Sequence, residues 1–251
     1  MASISNLSQT LVFLDISYSK NVTDEGISNF ENKHFPKFNS LSINGCTGIT
    51  SKGLNLWLKS FAGTLLDLEC ALCDQDDFKA DFFESLGMAV NLETLDLTGC
   101  YAIDDAMAQS FDKGQAQAKA NEDGTKPGLQ ECHTVKFCGL GISDITLMNF
   151  AKAAPSIGHL EIPKCEKVTD FGLKSILETL EDLHFIDINN IPAITYPVLD
   201  ELKTTHPKLL IKRHQYQDVD FKKDNGLRVP RKLLVDIKKP KKGKKGKKKK
   251  K

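Results

Sequence analysis

Apolar residues in this chain fall into a recurring L-x-x-L-x-L core. Its second leucine-type position returns at Leu14, Leu41, Leu68, Leu95, Val135, Leu160 and Ile186, at intervals of 27, 27, 27, 40, 25 and 26 residues. A fixed period in this range signals stacked supersecondary units rather than one globular core. Alternation at the second and third positions, as at Leu95 and Leu97, predicts a short strand with one face inward. Helix-start signals follow at Val22-Thr23-Asp24, Ile49-Thr50-Ser51, Ile103-Asp104-Asp105, Ile142-Ser143-Asp144 and Val168-Thr169-Asp170. Thr, Ser and Asp suit these places because their side-chain oxygens accept hydrogen bonds from the free amides of a first helical turn. Apolar residues then recur at helical spacing, as in Leu54, Trp57, Leu58 and Phe61, or Leu173, Ile176, Leu177 and Leu180. Strand, turn, helix and return make each unit one coil of an α/β solenoid. Leu209 and Ile211 read as a terminal half repeat after the seventh unit.

The seven cysteines follow the same period. Cys46, Cys73, Cys100 and Cys165 each stand five residues after the second core leucine, where Ser19, Leu140 and Ile191 stand in other repeats. A place shared by Cys, Leu and Ile is a small buried apolar site, and free Cys suits it. Cys70-x-x-Cys73 has the spacing of a redox or metal pair, but Cys70 takes the third leucine place of its repeat, so a core role is expected.

With the cysteine place included, NLETLDLTGCYAIDDAM and SIGHLEIPKCEKVTDFGL resemble the cysteine-containing leucine-rich repeats of F-box/LRR proteins and their F-box-free relatives. The resemblance covers about residues 7–216. It implies a horseshoe with parallel strands on the concave face and helices on the convex face. It also implies a non-catalytic, protein-binding role, with substrate recognition in SCF-type ubiquitin-ligase assembly as one specific form. No F-box-like segment stands before the first repeat in this sequence, whose first strand starts almost at Met1. Either a partner covers that open edge or the chain belongs to a longer product.

The repeats have departures. The third runs Cys73-Asp74-Gln75-Asp76-Asp77-Phe78 with no Ile-Thr-Asp turn, and the seventh places Pro197 in a helix first turn. The long interval after Leu95 is read as an insertion loop over about residues 112–128, rich in Gly, Lys, Gln and Pro. The expected organisation is a solenoid over residues 1–216, a capping segment over 217–237 and a disordered polylysine tail over 238–251.

Charge divides the chain. The tail carries eleven lysines and no acid; without them 23 basic residues face 33 acidic ones, a net of −10 against +1 for the whole. An acidic body with a basic interaction tail is the expectation. There is no run of eighteen apolar residues, and the N-terminus MASISNLSQTLVFLDIS has no basic residue before its short apolar run. An intracellular protein, cytoplasmic or nuclear and not secreted, is expected.

Candidate chemistry lies on the concave sheet. The residue between the second and third core leucines points there, giving Asp15, Ser42, Glu69, Asp96, Lys136, Glu161 and Asp187. Two readings stand open. The acids form a stripe for a basic protein partner, or Asp is simply the common resident of this place in "LDL" sequences. Phe13 and Phe185 flank the row as aromatic anchors for a partner, or pack on a terminal segment. His133 and His184 share one register and His159 is shifted by one, so the three do not converge on a metal. No phosphate-loop or nucleophile-elbow motif is present, and no enzyme, cofactor or small-molecule substrate is expected. The tail lysines are Lys238, Lys239, Lys241, Lys242, Lys244, Lys245, Lys247, Lys248, Lys249, Lys250 and Lys251. They suit a polyanion, namely an acidic protein tract, nucleic acid or an anionic membrane, or serve only solubility. They lack the interleaved aromatics that stack on bases.

Overall fold

Eight three-residue strands form one parallel sheet in strict sequence order. They are β1 (Phe13–Asp15), β2 (Ser40–Ser42), β3 (Asp67–Glu69), β4 (Thr94–Asp96), β5 (Thr134–Lys136), β6 (His159–Glu161), β7 (Phe185–Asp187) and β8 (Leu210–Lys212). Helices return the chain between them: α1 (Asp24–Ile27), α2 (Ser51–Phe61), α3 (Ala80–Leu86), α4 (Asp105–Ala108), α5 (Asp144–Ala153), α6 (Asp170–Leu177) and α7 (Tyr196–Thr205). The computed structural model describes residues 4, 6–31, 33–73, 80–108, 110–111 and 129–213. The expected insertion loop, capping segment and polylysine tail lie outside the described residues, as does the irregular turn of the third repeat.

The strand register is the one that the leucine period dictates. Leu14, Leu41, Leu68, Leu95, Val135, Leu160, Ile186 and Ile211 sit side by side across the sheet. All are buried, while most of their strand neighbours on either side are partly or fully exposed. The period-two pleat explains this: one strand residue points between sheet and helices and two point to the concave side. Neighbouring coils shelter each other's apolar side, which no single coil could do alone.

After each strand the chain turns through one left-handed residue. Tyr18, Gly45, Leu72, Gly99, Gly139, Lys164 and Asn190 occupy this place in the seven repeats, all with φ between 56° and 79°. Glycine adopts that conformation without penalty, whereas Tyr18, Leu72 and Lys164 carry a strain of about 1–2 kcal/mol each. Gly45 and Gly99 have a second reason to lack a side chain, since Tyr18 and Leu72 of the preceding coils lie against them.

The recurrent cysteines do more than fill space. Each of these thiols donates to the carbonyl of the residue just after the previous coil's strand: Cys46 to Ile16 at 3.1 Å, Cys73 to Ile43 at 3.3 Å, Cys100 to Cys70 at 3.2 Å and Cys165 to Phe137 at 2.9 Å. Leucine or isoleucine at this place supplies the packing without the donor. Burial pushes the Cys73, Cys100 and Cys165 thiols up to about 12, so they stay protonated as donors and are poor nucleophiles. All seven cysteines are free.

The helix starts hold a finding that the sequence reading missed. Thr50, Ser143 and Thr169 cap their own helices, accepting from Lys52, Ile145 and Phe171 amides. The neighbouring Asp residues serve the next coil instead. Thr50 donates its amide to Asp24 at 2.9 Å and its hydroxyl at 2.6 Å. Thr169 does the same to Asp144 at 2.7 and 2.6 Å, and Thr195 to Asp170 at 2.7 and 2.7 Å. Asp105 accepts from the Ser143 amide at 2.8 Å and the Thr146 hydroxyl at 2.6 Å. A carboxylate ladder thus ties helix cap to helix cap at α1–α2 and from α4 through α7. Charge-assisted bonds of this kind are stronger than neutral ones.

This ladder has an acid limit. Burial pushes the Asp105 carboxyl up, but the hydrogen bonds from Thr146 and Ser143, helped by Lys167, outweigh it and hold the group below its ordinary value. A carboxylate with a lowered folded value adds stability that is present above its unfolded value and is lost as pH falls through the folded one. Wild type and Asp105→Asn are therefore expected to differ in urea midpoint at neutral pH and to converge as pH falls below the ordinary carboxylate range. A difference that persists there would remove the ladder's ionised acid from the account.

Candidate interaction surface on the concave sheet

The concave side carries two in-register rows. The first is Phe13, Ser40, Asp67, Thr94, Thr134, His159, Phe185 and Leu210. The second is Asp15, Ser42, Glu69, Asp96, Lys136, Glu161, Asp187 and Lys212. All seven residues expected in the stripe lie in that second row, yet the row is not uniformly acidic or uniformly exposed. Like charges on adjacent strands repel, and the sheet relieves this with local partners.

Towards the C-terminal end each acid has a basic neighbour. Lys136 lies 3.4 Å from Asp96. His159 Nε2 lies 2.8 Å from Glu161, with its ring stacked on Phe185 at 4.3 Å between centroids. Lys212 Nζ lies 2.6 Å from Asp187, whose side chain is 3% exposed. The hydrogen bond to Asp187 raises Lys212 above its ordinary value. Three acids also hold their own turns: the amides of Ser17, Thr98 and Asn189 donate to Asp15, Asp96 and Asp187, each at 2.9 Å. This gives the frequent Asp of "LDL" a turn-fixing task that needs no partner. The Ser17 amide holds Asp15 below the usual carboxylate range.

The N-terminal half differs. Glu69 accepts from Ser42 Oγ and Asn44 Nδ2, both at 3.1 Å, and Ser42 Oγ lies 2.9 Å from Ser17 Oγ. No cation pairs with Asp15, Asp67 or Glu69 among the described residues. Phe13 is 55% exposed at this end, while Phe185 is partly covered by the His159 ring. The face is thus polarised, with unpaired carboxylates and an open aromatic over β1–β3 and ion pairs over β4–β8. Cys138 also lines this side, and burial pushes its thiol up against the opposing pull of Lys164.

Gly158 stands in register with His133 and His184, exchanging main-chain bonds with both, so His159 is offset by one residue. Among the described residues no group of three His, Cys, Asp or Glu side chains is placed to hold a metal ion, and no helix is long and apolar enough to cross a membrane. Asp67, one residue before the second core leucine, flanks the row. One contributor to this surface was missed from sequence. Lys212 becomes visible only when the register is extended into the half repeat.

A family description for leucine-rich repeats matches residues 7–30. Among solved structures, a chain in the crystal structure of the Rad7 and Elc1 complex in yeast is similar with a TM-score of 0.59 at 17% identity, over 76% of this chain and 44% of that one. The present chain therefore spans less than half of that neighbour. Together with eight parallel strands in sequence order and the helices that return the chain between them, these matches give the chain the leucine-rich-repeat solenoid fold.

Proposed function

We propose that this solenoid is a non-catalytic, intracellular interaction scaffold whose concave sheet receives a basic segment of a protein partner over its N-terminal half. The observation that carries this reading is the set Asp15, Asp67 and Glu69, which face the concave side with no paired cation among the described residues. Unpaired carboxylates steer and register a Lys- or Arg-rich partner, whereas acids already bound to Lys136, His159 and Lys212 have less to offer. The exposed Phe13 supplies an apolar anchor beside them. Seven free cysteines support a reducing compartment. The resemblance to F-box/LRR proteins supports substrate recognition in SCF-type ubiquitin-ligase assembly as the finer form, and the yeast neighbour was likewise solved in a complex with another protein. The second reading, a binder of nucleic acid or another polyanion driven by residues 238–251, rests on the eleven tail lysines.

The test is affinity capture with three full-length forms: wild type, Asp15→Asn/Asp67→Asn/Glu69→Gln, and a deletion of residues 238–251. The triple variant is expected to lose about tenfold in affinity for the partner, and more at low salt, while the deletion leaves affinity unchanged. Recovery of the same partner with equal affinity by the triple variant refutes the concave reading. Loss of binding on tail deletion alone supports the second. Asp187 is left intact in this design because neutralising a buried acid under Lys212 alters stability as well as charge.

A further inference from the structure

The helical side of the solenoid holds a cavity of about 540 Å³ next to α2. On that helix Lys52, Asn55, Leu56 and Lys59 line it, and their spacing of i, i+3, i+4 and i+7 puts them on one face. The opposite wall is Glu31, Lys33 and His34, which follow the 3₁₀ turn Ser28–Phe30. The space exists because α1 has only four residues and α2 has eleven, so the first coil gives α2 no helical neighbour of its own length. Both walls are anchored. Gln9 Nε2 donates to the His34 carbonyl at 3.2 Å, and Phe30 packs edge-on to Trp57 at 5.6 Å. Buried Asn55 donates to Asp81 at 3.0 Å and accepts from Ser85, which fixes its amide at the cavity's edge.

The charge of this cavity runs against that of the body, which carries a net of −10 without its tail lysines. Three lysines and an imidazole surround one carboxylate. Lys52 and Lys59 are exposed, and neither has an ion pair among the described residues. The repeat does not require them. Two residues after the helix cap, where α2 has Lys52, α5 has Ile145 and α6 has Phe171. Nine residues after the cap, where α2 has Lys59, α6 is followed by Glu178. Seven residues of helix separate the two lysines by about 10 Å, so their ammonium groups flank the cavity from both ends of its wall.

We propose that this cavity binds the phosphate ester of a small polyhydroxylated molecule, with the phosphate held by Lys52, Lys59 and Lys33 and a hydroxyl donating to Glu31. A concave site lined by one sign of charge concentrates the opposite ion, and lysine ammonium groups bind phosphate as point charges. The volume lies in the range of small-ligand sites, and a bare phosphate would leave most of it empty. Glu31 repels a phosphate but accepts from a hydroxyl, and the His34 ring offers a further polar contact. Leu56 is the one apolar side chain among those that line the space, so the body of the ligand is polar as well.

The experiment titrates the full-length, isotope-labelled chain with glucose 6-phosphate, glucose and inorganic phosphate, and follows backbone amide signals. Glucose 6-phosphate is expected to shift the amides of His34 and of Lys52 to Ser60 saturably. Glucose is expected to leave them in place, and inorganic phosphate to bind several-fold more weakly. In Lys52→Gln/Lys59→Gln the affinity for glucose 6-phosphate is expected to fall at least about tenfold, since each lost charge-assisted bond is worth roughly that factor. Both lysines are exposed, so the variant keeps the fold. The eleven tail lysines are the same in both proteins and cannot produce the difference. Equal affinity in the double variant, or no shift at these amides, overturns the inference. Inorganic phosphate binding as tightly as the ester marks an adventitious anion site and overturns it too. The concave variant Asp15→Asn/Asp67→Asn/Glu69→Gln is expected to bind the ester unchanged, so this inference and the scaffold reading fail separately.

Discussion

Gly172→Ala is expected to destabilise the solenoid by about 2–3 kcal/mol, against the gain of about 0.5–1 kcal/mol that helix propensity alone predicts. Gly172 is the third residue of α6, where alanine normally helps. Here a Cβ would run into the Asp144 carboxylate of the previous coil. That carboxylate is held by the Thr169 amide and hydroxyl, so it can only yield by breaking those bonds. Gly53 leaves the same space for Asp24, so the device is repeated rather than accidental. The decisive control is the Asp144→Ala background. With the carboxylate removed, the cost of Gly172→Ala should fall below about 1 kcal/mol, leaving only close Cβ contact to relieve. Urea titrations of the four proteins measure this. An equal cost in both backgrounds would mean that Gly172 is needed for its backbone and not for the room it leaves.

Trp57→Ala is expected to cost about 3–5 kcal/mol, and Trp57→Phe less than about 1.5 kcal/mol. Trp57 is buried on α2, edge-on to Phe30 at 5.6 Å and tilted against Phe61 at 6.4 Å. Phe35 and Phe38 extend the same aromatic cluster, with Phe30 stacked on Phe35 at 5.3 Å. Truncation to alanine opens a hole between the first two coils, whereas phenylalanine keeps most of the ring contact. The indole N–H has no partner among the described residues, so replacing it also removes a buried donor whose desolvation costs about 1–3 kcal/mol. Denaturant midpoints at constant slope measure both values. Equal losses for the two variants would show that ring packing does not set the cost, and the packing argument fails. Since the chain has one tryptophan, its fluorescence reports on these two coils.

The strand register and the helical return were legible because both depend on spacing. Leu41, Leu68 and Leu95 align since 27 residues separate each pair, and no long-range information is needed to see it. Leu209 and Ile211 were readable as a half repeat for the same reason, and β8 pairs with β7 there. What the pattern concealed is which atom of a recurring residue bonds to which coil. Asp24, Asp144 and Asp170 read as caps of their own helices because their position in the chain is right, while their oxygens turn to the following Thr. The recurrent Cys read as a small apolar filler, since a thiol that packs and a thiol that also donates look alike in sequence. On the concave face the row itself was legible and its charge balance was not. Asp96 and Lys136 are 40 residues apart and meet only because the intervening segment leaves the register intact. Glu161 finds its partner two residues away in His159, a pairing set by side-chain direction along one strand.

The carboxylate ladder joins an acid in one coil to a Thr or Ser in the next at α1–α2, α4–α5, α5–α6 and α6–α7, so the coils of α5 and α6 each give and receive the same link. Duplicating or excising one of these two whole periods orphans no such group, whereas a break at any other length strands half a pair. This stretch of the array can therefore be lengthened or shortened by one coil with its helix caps still tied.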